Sequence, residues 1–149
     1  MTPDARGLPD PNLHAEFYAD VPAKRLVAWI ADSLVIAVLT LVAIPFTAFT
    51  ALFFLPFFWL LIGLVYRIVT LARSSATPGM RLVAIEMRTA RGERFDTGTA
   101  AMHTLLYSIS IGMVVVQAVS IVLMLTSARR QGLPDHILGT VAINRAAAN

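Results

Sequence analysis

From Leu26 to Leu64 the sequence contains a single ionisable side chain, that of Asp32. One continuous helix of this length would extend about 60 Å at about 1.5 Å per residue, twice the hydrocarbon thickness of a bilayer. The segment must therefore turn back on itself. Pro45 interrupts the helical hydrogen-bond ladder and the small polar residues Thr47 and Thr50 follow it, so the turn is expected there.

This pattern predicts two apolar helices, at about residues 26–45 and 51–71, that form a tight antiparallel hairpin. A third apolar run, 102–126, is long enough to cross a membrane once. The composition agrees, because 57% of the residues are hydrophobic and 14% are charged, whereas soluble domains have about 25% charged residues. We therefore expect an all-α integral membrane protein with three hydrophobic helical segments.

The predicted transmembrane domain covers residues 21–145, between a polar N-terminal tail at 1–20 and a C-terminal tail at 146–149. The tail at 1–20 lacks the apolar core of a cleavable signal peptide, so the first hydrophobic segment is expected to act as an uncleaved anchor. The lipid bilayer is the expected environment.

The longest polar interruption lies between the second and third apolar runs, at residues 72–100. Within it RLVAIEMR is typical of a short strand and ARGE of a turn, so a small β-hairpin-like loop is expected at the membrane surface. The positive-inside rule places such an arginine-rich loop, and with it the N-terminus, in the cytoplasm. Its arginines are Arg73, Arg81, Arg88, Arg91 and Arg94.

Two paths remain open for the third segment. A single crossing would place Arg129, Arg130 and Arg145 outside, against the positive-inside rule. Alternatively, Gly112 breaks the segment into two half-length helices that enter and return, which is tolerated where protein or a water-filled cavity covers the backbone. The second path would also allow the strand-like TVAIN near the C-terminus to pair with LVAIE.

Several classes of function have no support in the sequence. There is no cysteine, and His14, His103 and His136 lack the spacing of metal ligands, so no metal or cofactor is expected. We also find no Ser/His nucleophile pair and no glycine-rich phosphate loop, and we expect no enzyme. The net charge of +3 does not indicate nucleic-acid binding, because the basic runs lack interleaved aromatic residues.

Asp32 is the residue that most needs a partner. An ionised carboxylate inside a membrane costs about 2.5–3.5 kcal/mol. In the predicted hairpin Arg67 lies at a similar depth on the second helix, so an Asp32–Arg67 ion pair is expected, with Ser33 or Tyr66 assisting. Three roles stay open for Asp32: a structural ion pair, a proton or cation site, or a hydrated group near the interface.

Three stretches together resemble the RDD family of small bacterial membrane proteins. They are RLVAWIAD, with Arg25, Ala28 and Asp32; TPGMRLVAIEMRTARGERFD; and RRQGLPDHILGTVAI, with Asp135. Met80 stands where the family usually has lysine. The resemblance implies a location in the bacterial inner membrane, and cation–proton exchange has been suggested for some members.

Asp135 has two readings, as the hydrogen-bond acceptor of a turn or helix start, or as part of one cytoplasmic polar cluster with Arg25 and Asp32. The second reading requires the C-terminus to lie inside.

Two functions follow as hypotheses. The first is a small-ion transporter, a cation–proton exchanger with Asp32 as its site; three helices enclose too little space, so it would act as a homo-oligomer. The alternative is a non-transporting accessory or assembly protein of a larger membrane complex. The sequence favours transport, because this function gives Asp32 a role beyond structure.

Overall fold

A computed structural model describes residues 7–145, and the predicted C-terminal tail at 146–149 lies outside this range. The apolar hairpin is present, with α1 at Val21–Ala43 and α2 at Leu55–Ser74. Both helices differ by a few residues from the predicted 26–45 and 51–71. α1 begins earlier because Pro22 is well suited to a first helical turn, and α2 begins later because the connection is longer than predicted.

The connection between α1 and α2 is built from two short 3-10 helices, Ile44–Thr47 and Thr50–Phe54. Ala48 and Phe49 lie between them with positive φ angles of 51° and 63°. This left-handed pair reverses the chain, close to the predicted turn at Pro45.

A two-stranded sheet follows the hairpin, but its partners are not those of a local hairpin. After the short helix α3, Pro78–Leu82, strand β1 at Ile85–Arg88 pairs antiparallel with β2 at Val141–Asn144. The predicted β-hairpin within residues 72–100 is therefore wrong, and the alternative pairing of TVAIN with LVAIE is confirmed. β1 is almost entirely buried, and the polar turn ARGE that follows it offers no apolar strand to cover it, whereas the fully buried β2 does.

The third apolar segment is broken. Helix α4 runs from Thr97 to Gly112, helix α5 runs from Val114 to Thr126, and the two are bent by 116°. The single helix predicted at 102–126 is wrong, and the alternative break at Gly112 is confirmed. Met113 is extended (φ −121°, ψ 106°), and the hydroxyl of Ser110 donates across the break to Oε1 of Gln117 at 2.9 Å.

After α5 the chain returns to the beginning of α4. Helix α6, Leu133–Leu138, packs against both α4 and α5 and leads directly into β2. The beginning of α1, the end of α2, α3, the sheet and α6 are thus gathered at one end of the molecule, which we call the polar end. Its core contains Val21, Leu71, Ile85 and Met87, all fully buried.

Part of the segment predicted as a polar N-terminal tail is folded onto the polar end. Leu8 and Tyr18 pack against Val141 and Ile143 of β2. The side-chain amide of Asn144 donates to the carbonyl oxygens of Glu16 and Ala19, each at 2.8 Å. Residues 8–19 therefore belong to the folded unit.

The remaining surface is largely apolar. Two helical segments, Ala15–Thr47 and Thr50–Ser74, are long and apolar enough to cross a membrane, and α4 with α5 would count as a third only if the bent pair is taken as one span. Leu34, Val38 and Leu41 are each more than 60% exposed on α1. Such continuous apolar exposure is typical of a membrane protein.

Candidate functional site: two buried aspartates at the polar end

Asp32 is buried, with 1% of its surface exposed, and both of its carboxylate oxygens accept hydrogen bonds. Oδ1 accepts from the hydroxyl of Tyr66 at 2.7 Å and from the backbone N–H of Gly79 at 2.8 Å. Oδ2 accepts from the hydroxyl of Thr77 at 2.5 Å. Asp32 thus joins α1 to α2 and to the first turn of α3.

The local sequence Thr77-Pro78-Gly79 explains how α3 reaches Asp32. The hydroxyl of Thr77 caps α3 by accepting from the N–H of Met80 at 3.2 Å, and Pro78 suits the first helical position. Glycine is required next, since a Cβ at Gly79 would lie 2.8 Å from Cγ of Asp32. The backbone N–H of Gly79 can therefore touch the carboxylate directly.

Arg67 is not the partner of Asp32, so the predicted Asp32–Arg67 ion pair is wrong. Among the ion pairs of residues 7–145, none includes Asp32. The guanidinium of Arg67 instead lies over the ring of Tyr107 on α4, with Cζ 4.2 Å from the ring centroid. The expected assistance from Tyr66 is confirmed. The hairpin places Arg67 near α4, while α3 supplies the donors that the carboxylate requires.

Asp135, on α6, is completely buried and is bound from four sides. Oδ2 accepts from Nη1 of Arg25 at 2.6 Å and from the N–H of Gly132 at 3.1 Å. Oδ1 accepts from the hydroxyl of Thr140 at 2.8 Å and lies 2.9 Å from Nε2 of His103. Asp135 thus accepts a hydrogen bond at the start of α6, as the first interpretation predicted. It also contacts Arg25, which is one part of the polar cluster that the second interpretation predicted.

The charge state of Asp135 follows from these partners. Burial alone would raise the pKa of its carboxyl group. The positive charge of Arg25, together with hydrogen bonds from His103 and Arg25, more than offsets burial and holds that pKa below its ordinary value. Asp135 is therefore an ionised carboxylate held by a buried ion pair.

The structure brings Arg25 to Asp135 but gives Asp32 separate partners. Arg25 and Asp32 share α1, roughly two helical turns apart. α1 is consequently attached at two levels, to α6 through Arg25 and to α3 through Asp32. The predicted single cluster of Arg25, Asp32 and Asp135 is corrected to two neighbouring sites at the polar end.

Sequence reasoning missed four of the residues that bind these aspartates: Thr77, Gly79, His103 and Thr140. Thr-Pro-Gly is a recognisable helix start and could have indicated α3. His103 gave no such signal, because a lone histidine in an apolar run has no spacing to interpret. In the described part of the chain, no group of three or more His, Asp or Glu side chains could hold a metal ion.

Comparison with known protein families agrees with the positions of these residues. The family model described as the RDD family matches residues 20–139, a range that includes Arg25, Asp32 and Asp135. The chain belongs to the RDD family. No curated protein and no solved structure matches the chain. As an RDD-family protein with two long apolar helices, it is assigned to the membrane proteins.

In this RDD-family protein the two aspartates share one chemical property. Every oxygen of Asp32 and Asp135 accepts at least one hydrogen bond from the chain itself. Buried carboxylates that are satisfied in this way fix the relative positions of the elements that supply the donors. Here those elements are α2, α3, α4, α6 and the beginning of α1.

Proposed function

We propose that this protein is a non-catalytic, multi-pass protein of the bacterial inner membrane that assembles with a larger membrane complex and does not itself transport ions. The observation that carries the proposal is the saturation of both buried aspartates by donors of the same chain. In the proposed orientation the polar end, with the N-terminal segment and β2, faces the cytoplasm, as its arginines favour.

Saturated carboxylates are poor ion carriers. A cation or proton that reached Asp32 would have to compete with Tyr66, Thr77 and Gly79, and one that reached Asp135 would have to compete with Arg25. At Asp135 the positive charge of Arg25 and the hydrogen bonds from His103 and Arg25 hold the carboxyl pKa below its ordinary value, which opposes cycles of protonation there. Both side chains are nearly inaccessible, at 1% and 0% exposure.

The break between α4 and α5 supports an assembly role. Irregular backbone at membrane depth is tolerated where protein or water covers it. Here the break is uncovered: Met113 is 55% exposed and Val114 is 85% exposed, and beyond its chain neighbours and its own helix backbone no atom lies within 4 Å of a Cβ built at Gly112. The last carbonyl groups of α4 require hydrogen-bond donors, which a neighbouring protein can supply and lipid tails cannot.

Transport by a homo-oligomer is the second candidate, and one observation favours it. The donors to Asp32 are all electrically neutral, and none of the described basic side chains forms an ion pair with it. A buried carboxylate without a positive partner is costly, and a bound proton or cation would offset its charge. A second copy would then have to complete the path.

Flux and crosslinking together distinguish the two candidates. Wild type and Asp32→Asn are reconstituted in vesicles, and cation-driven proton movement is recorded against empty vesicles, with Tyr66→Phe as a milder change at the same site. The assembly role predicts no flux from any of the three. Flux in wild type that Asp32→Asn abolishes, while the variant remains folded, would establish transport instead.

The crosslinking arm uses the absence of cysteine from the sequence. Val114→Cys, at the break, and Phe46→Cys, in the α1–α2 connection, are treated in native membranes with a short bifunctional reagent. The assembly role predicts a Val114→Cys adduct with a different, identifiable protein and none from Phe46→Cys. An adduct of two copies of this chain favours the homo-oligomer, and absence of any adduct from Val114→Cys contradicts the assembly role.

A further inference from the structure

A cavity of about 150 Å³ lies between α1, α2 and α4, and neither aspartate lines it. The cavity is partly open to its surroundings, so a longer molecule can occupy it with one part inside and the rest outside. Its walls come from Trp29 to Ile36 on α1, Trp59 to Arg67 on α2, and Tyr107 to Ile111 on α4. The proposed function does not use this cavity.

The cavity is polar at one end and apolar at the other. Arg67, Trp29 and Tyr107 lie at the end that is nearer the polar end of the molecule, and Ser33 lies next to them. Ile36, Leu60 and Ile111 line the opposite end. A ligand that matches these walls has a polar head and an apolar body.

Arg67 supplies the charge for such a ligand. A guanidinium has five N–H donors in a planar fork. Within residues 7–145 the Arg67 guanidinium has the ring of Tyr107 as its neighbour, and it forms no hydrogen bond or ion pair. The hydroxyl of Ser33 likewise has no hydrogen-bond partner in that range. Two unpaired donors therefore line one cavity, which suits an oxyanion.

The depth of Arg67 indicates where that oxyanion would come from. From Arg67 to Thr50 the chain rises about 28 Å, at about 1.5 Å per residue in α2 and about 2.0 Å in the 3-10 helix. The hydrocarbon core of a bilayer is about 30 Å thick. If the α1–α2 connection lies at one face, Arg67, Trp29 and Tyr107 lie at the level of the opposite headgroups, where aromatic side chains concentrate.

We propose that this cavity binds an anionic phospholipid, with Arg67 and Ser33 donating to its phosphate oxygens and the acyl chain lying along Ile36, Gly63 and Leu60. The inference rests on the membrane location in the proposed function, but not on the choice between assembly and transport. In this proposal the lipid phosphate, and not Asp32, is the anionic partner of Arg67.

The test uses the two tryptophans of the sequence, Trp29 and Trp59, which both line the cavity. The protein is reconstituted in phosphatidylcholine vesicles with a fixed fraction of brominated lipid, either phosphatidylglycerol or phosphatidylcholine, and quenching of tryptophan fluorescence is measured. We expect brominated phosphatidylglycerol to be preferred about fivefold, the effect of one basic side chain at a membrane surface.

Three variants make the test specific. Arg67→Gln should remove the preference, and Ser33→Ala should reduce it. Arg73→Gln, which removes an exposed arginine from the same helix and lies outside the cavity, should retain it. Gly63→Val retains Arg67 but narrows the apolar part of the cavity, because the new Cβ would lie 3.5 Å from the side chain of Ile36. This variant should lower quenching by brominated phosphatidylglycerol, and it keeps the proposal testable if Arg67→Gln fails to fold.

Four results would overturn the proposal. The first is equal quenching of the wild type by the two brominated lipids, and the second is an equal loss of lipid preference in Arg73→Gln and Arg67→Gln. The third is unchanged quenching by brominated phosphatidylglycerol in Gly63→Val. The fourth is saturable displacement of the lipid by inorganic phosphate, which would assign the site to a free anion. Failure to enter the bilayer is recognised separately, because neither brominated lipid would then quench; the membrane location and the lipid site would fall together.

Discussion

Arg25 and Asp135 are 110 positions apart in the chain, and their side chains meet at 2.6 Å. The neighbouring Lys24 contacts the other C-terminal element, because its ammonium donates to Oδ1 of Asn144 at 2.7 Å. The first turns of α1 are thus bound to both α6 and β2. The polar end depends on contacts between the two ends of the described chain.

Removing Arg25 should destabilise the protein strongly. Arg25→Ala leaves the fully buried Asp135 without its positive partner, and breaking a buried ion pair costs about 3–5 kcal/mol. We expect a large drop in the thermal unfolding midpoint in mild detergent, with the remaining folded protein measured by size-exclusion chromatography after heating. Arg94→Ala, which removes an exposed arginine with the same change in charge, should leave the midpoint nearly unchanged; similar drops in both variants would contradict this role of Arg25.

Gly79→Ala should be much more harmful than alanine at a glycine with free space around it. The new Cβ would lie 2.8 Å from Cγ of Asp32 and displace the N–H that binds the carboxylate; overpacking of this kind costs about 1–3 kcal/mol. Gly112→Ala is the control, since nothing lies within 4 Å of its Cβ. Equal unfolding midpoints for the two variants would argue against the close approach of α3 to α1.

The partner of Asp32 can be identified by two double-mutant cycles. Asp32→Asn combined with Tyr66→Phe should show coupling of about 0.5–3 kcal/mol, the range for residues in contact. Asp32→Asn combined with Arg67→Gln should show coupling near zero, because Arg67 lies over Tyr107 instead. The readout is the free energy of unfolding in detergent, and a larger coupling to Arg67 than to Tyr66 would reverse our assignment.

Acid should weaken the protein through Asp135. Its pKa is lowered in the folded state by Arg25 and His103 in spite of burial, so the unfolded chain binds more protons as the pH falls below the ordinary carboxyl pKa of about 3.9. Stability from this group is fully present above that pH and is lost as the pH falls toward the folded pKa. Unfolding midpoints recorded from pH 7 to pH 3 should fall more steeply for wild type than for Asp135→Asn. Parallel curves would contradict the ion pair.

The segments that precede α1 and follow α5 should label from the same side of the membrane. Single cysteines at Leu13, Ala128 and Phe46 are all at exposed positions. With a membrane-impermeant maleimide applied from the outside, Phe46→Cys should react, whereas Leu13→Cys and Ala128→Cys should react only after permeabilisation. Opposite labelling of Leu13→Cys and Ala128→Cys would mean that the α4–α5 pair crosses the membrane.

Hydropathy and residue spacing predicted those features that depend on local sequence. The apolar run with Pro45 led to the hairpin, Gly112 indicated the break, and the RDD-like stretches grouped Arg25 with Asp135. The donors to Asp32 were not predictable in this way, because they depend on where α3 packs. Opposite charge and similar depth in the membrane made Arg67 the expected partner of Asp32. The folded chain instead places the hydrogen-bond donors of Thr77 and Gly79 against that carboxylate.

The pairing of β1 with β2 was predicted only within the alternative path of the third segment, and a local hairpin was favoured over it for a related reason. The turn-like ARGE next to β1 is a strong short-range signal, and the true partner β2 lies far along the chain. Only the burial of both strands, nearly complete in β1 and complete in β2, distinguishes the long-range pair from a local hairpin, and burial is a property of the folded molecule.

The separation of Arg25 from Asp135 in the chain also sets a delay between the synthesis of the two residues. At about 5–20 residues per second, a ribosome that has made Arg25 requires about 6–20 s to make Asp135. During that interval α1 and α2 can already have entered the bilayer, while Arg25 still lacks its counter-charge and β1 lacks its neighbouring strand. The synthesis of α6 and β2 would therefore be the event that closes the polar end, and a nascent chain stalled shortly before Asp135 would expose a basic, unpaired surface to the quality-control proteases of the membrane.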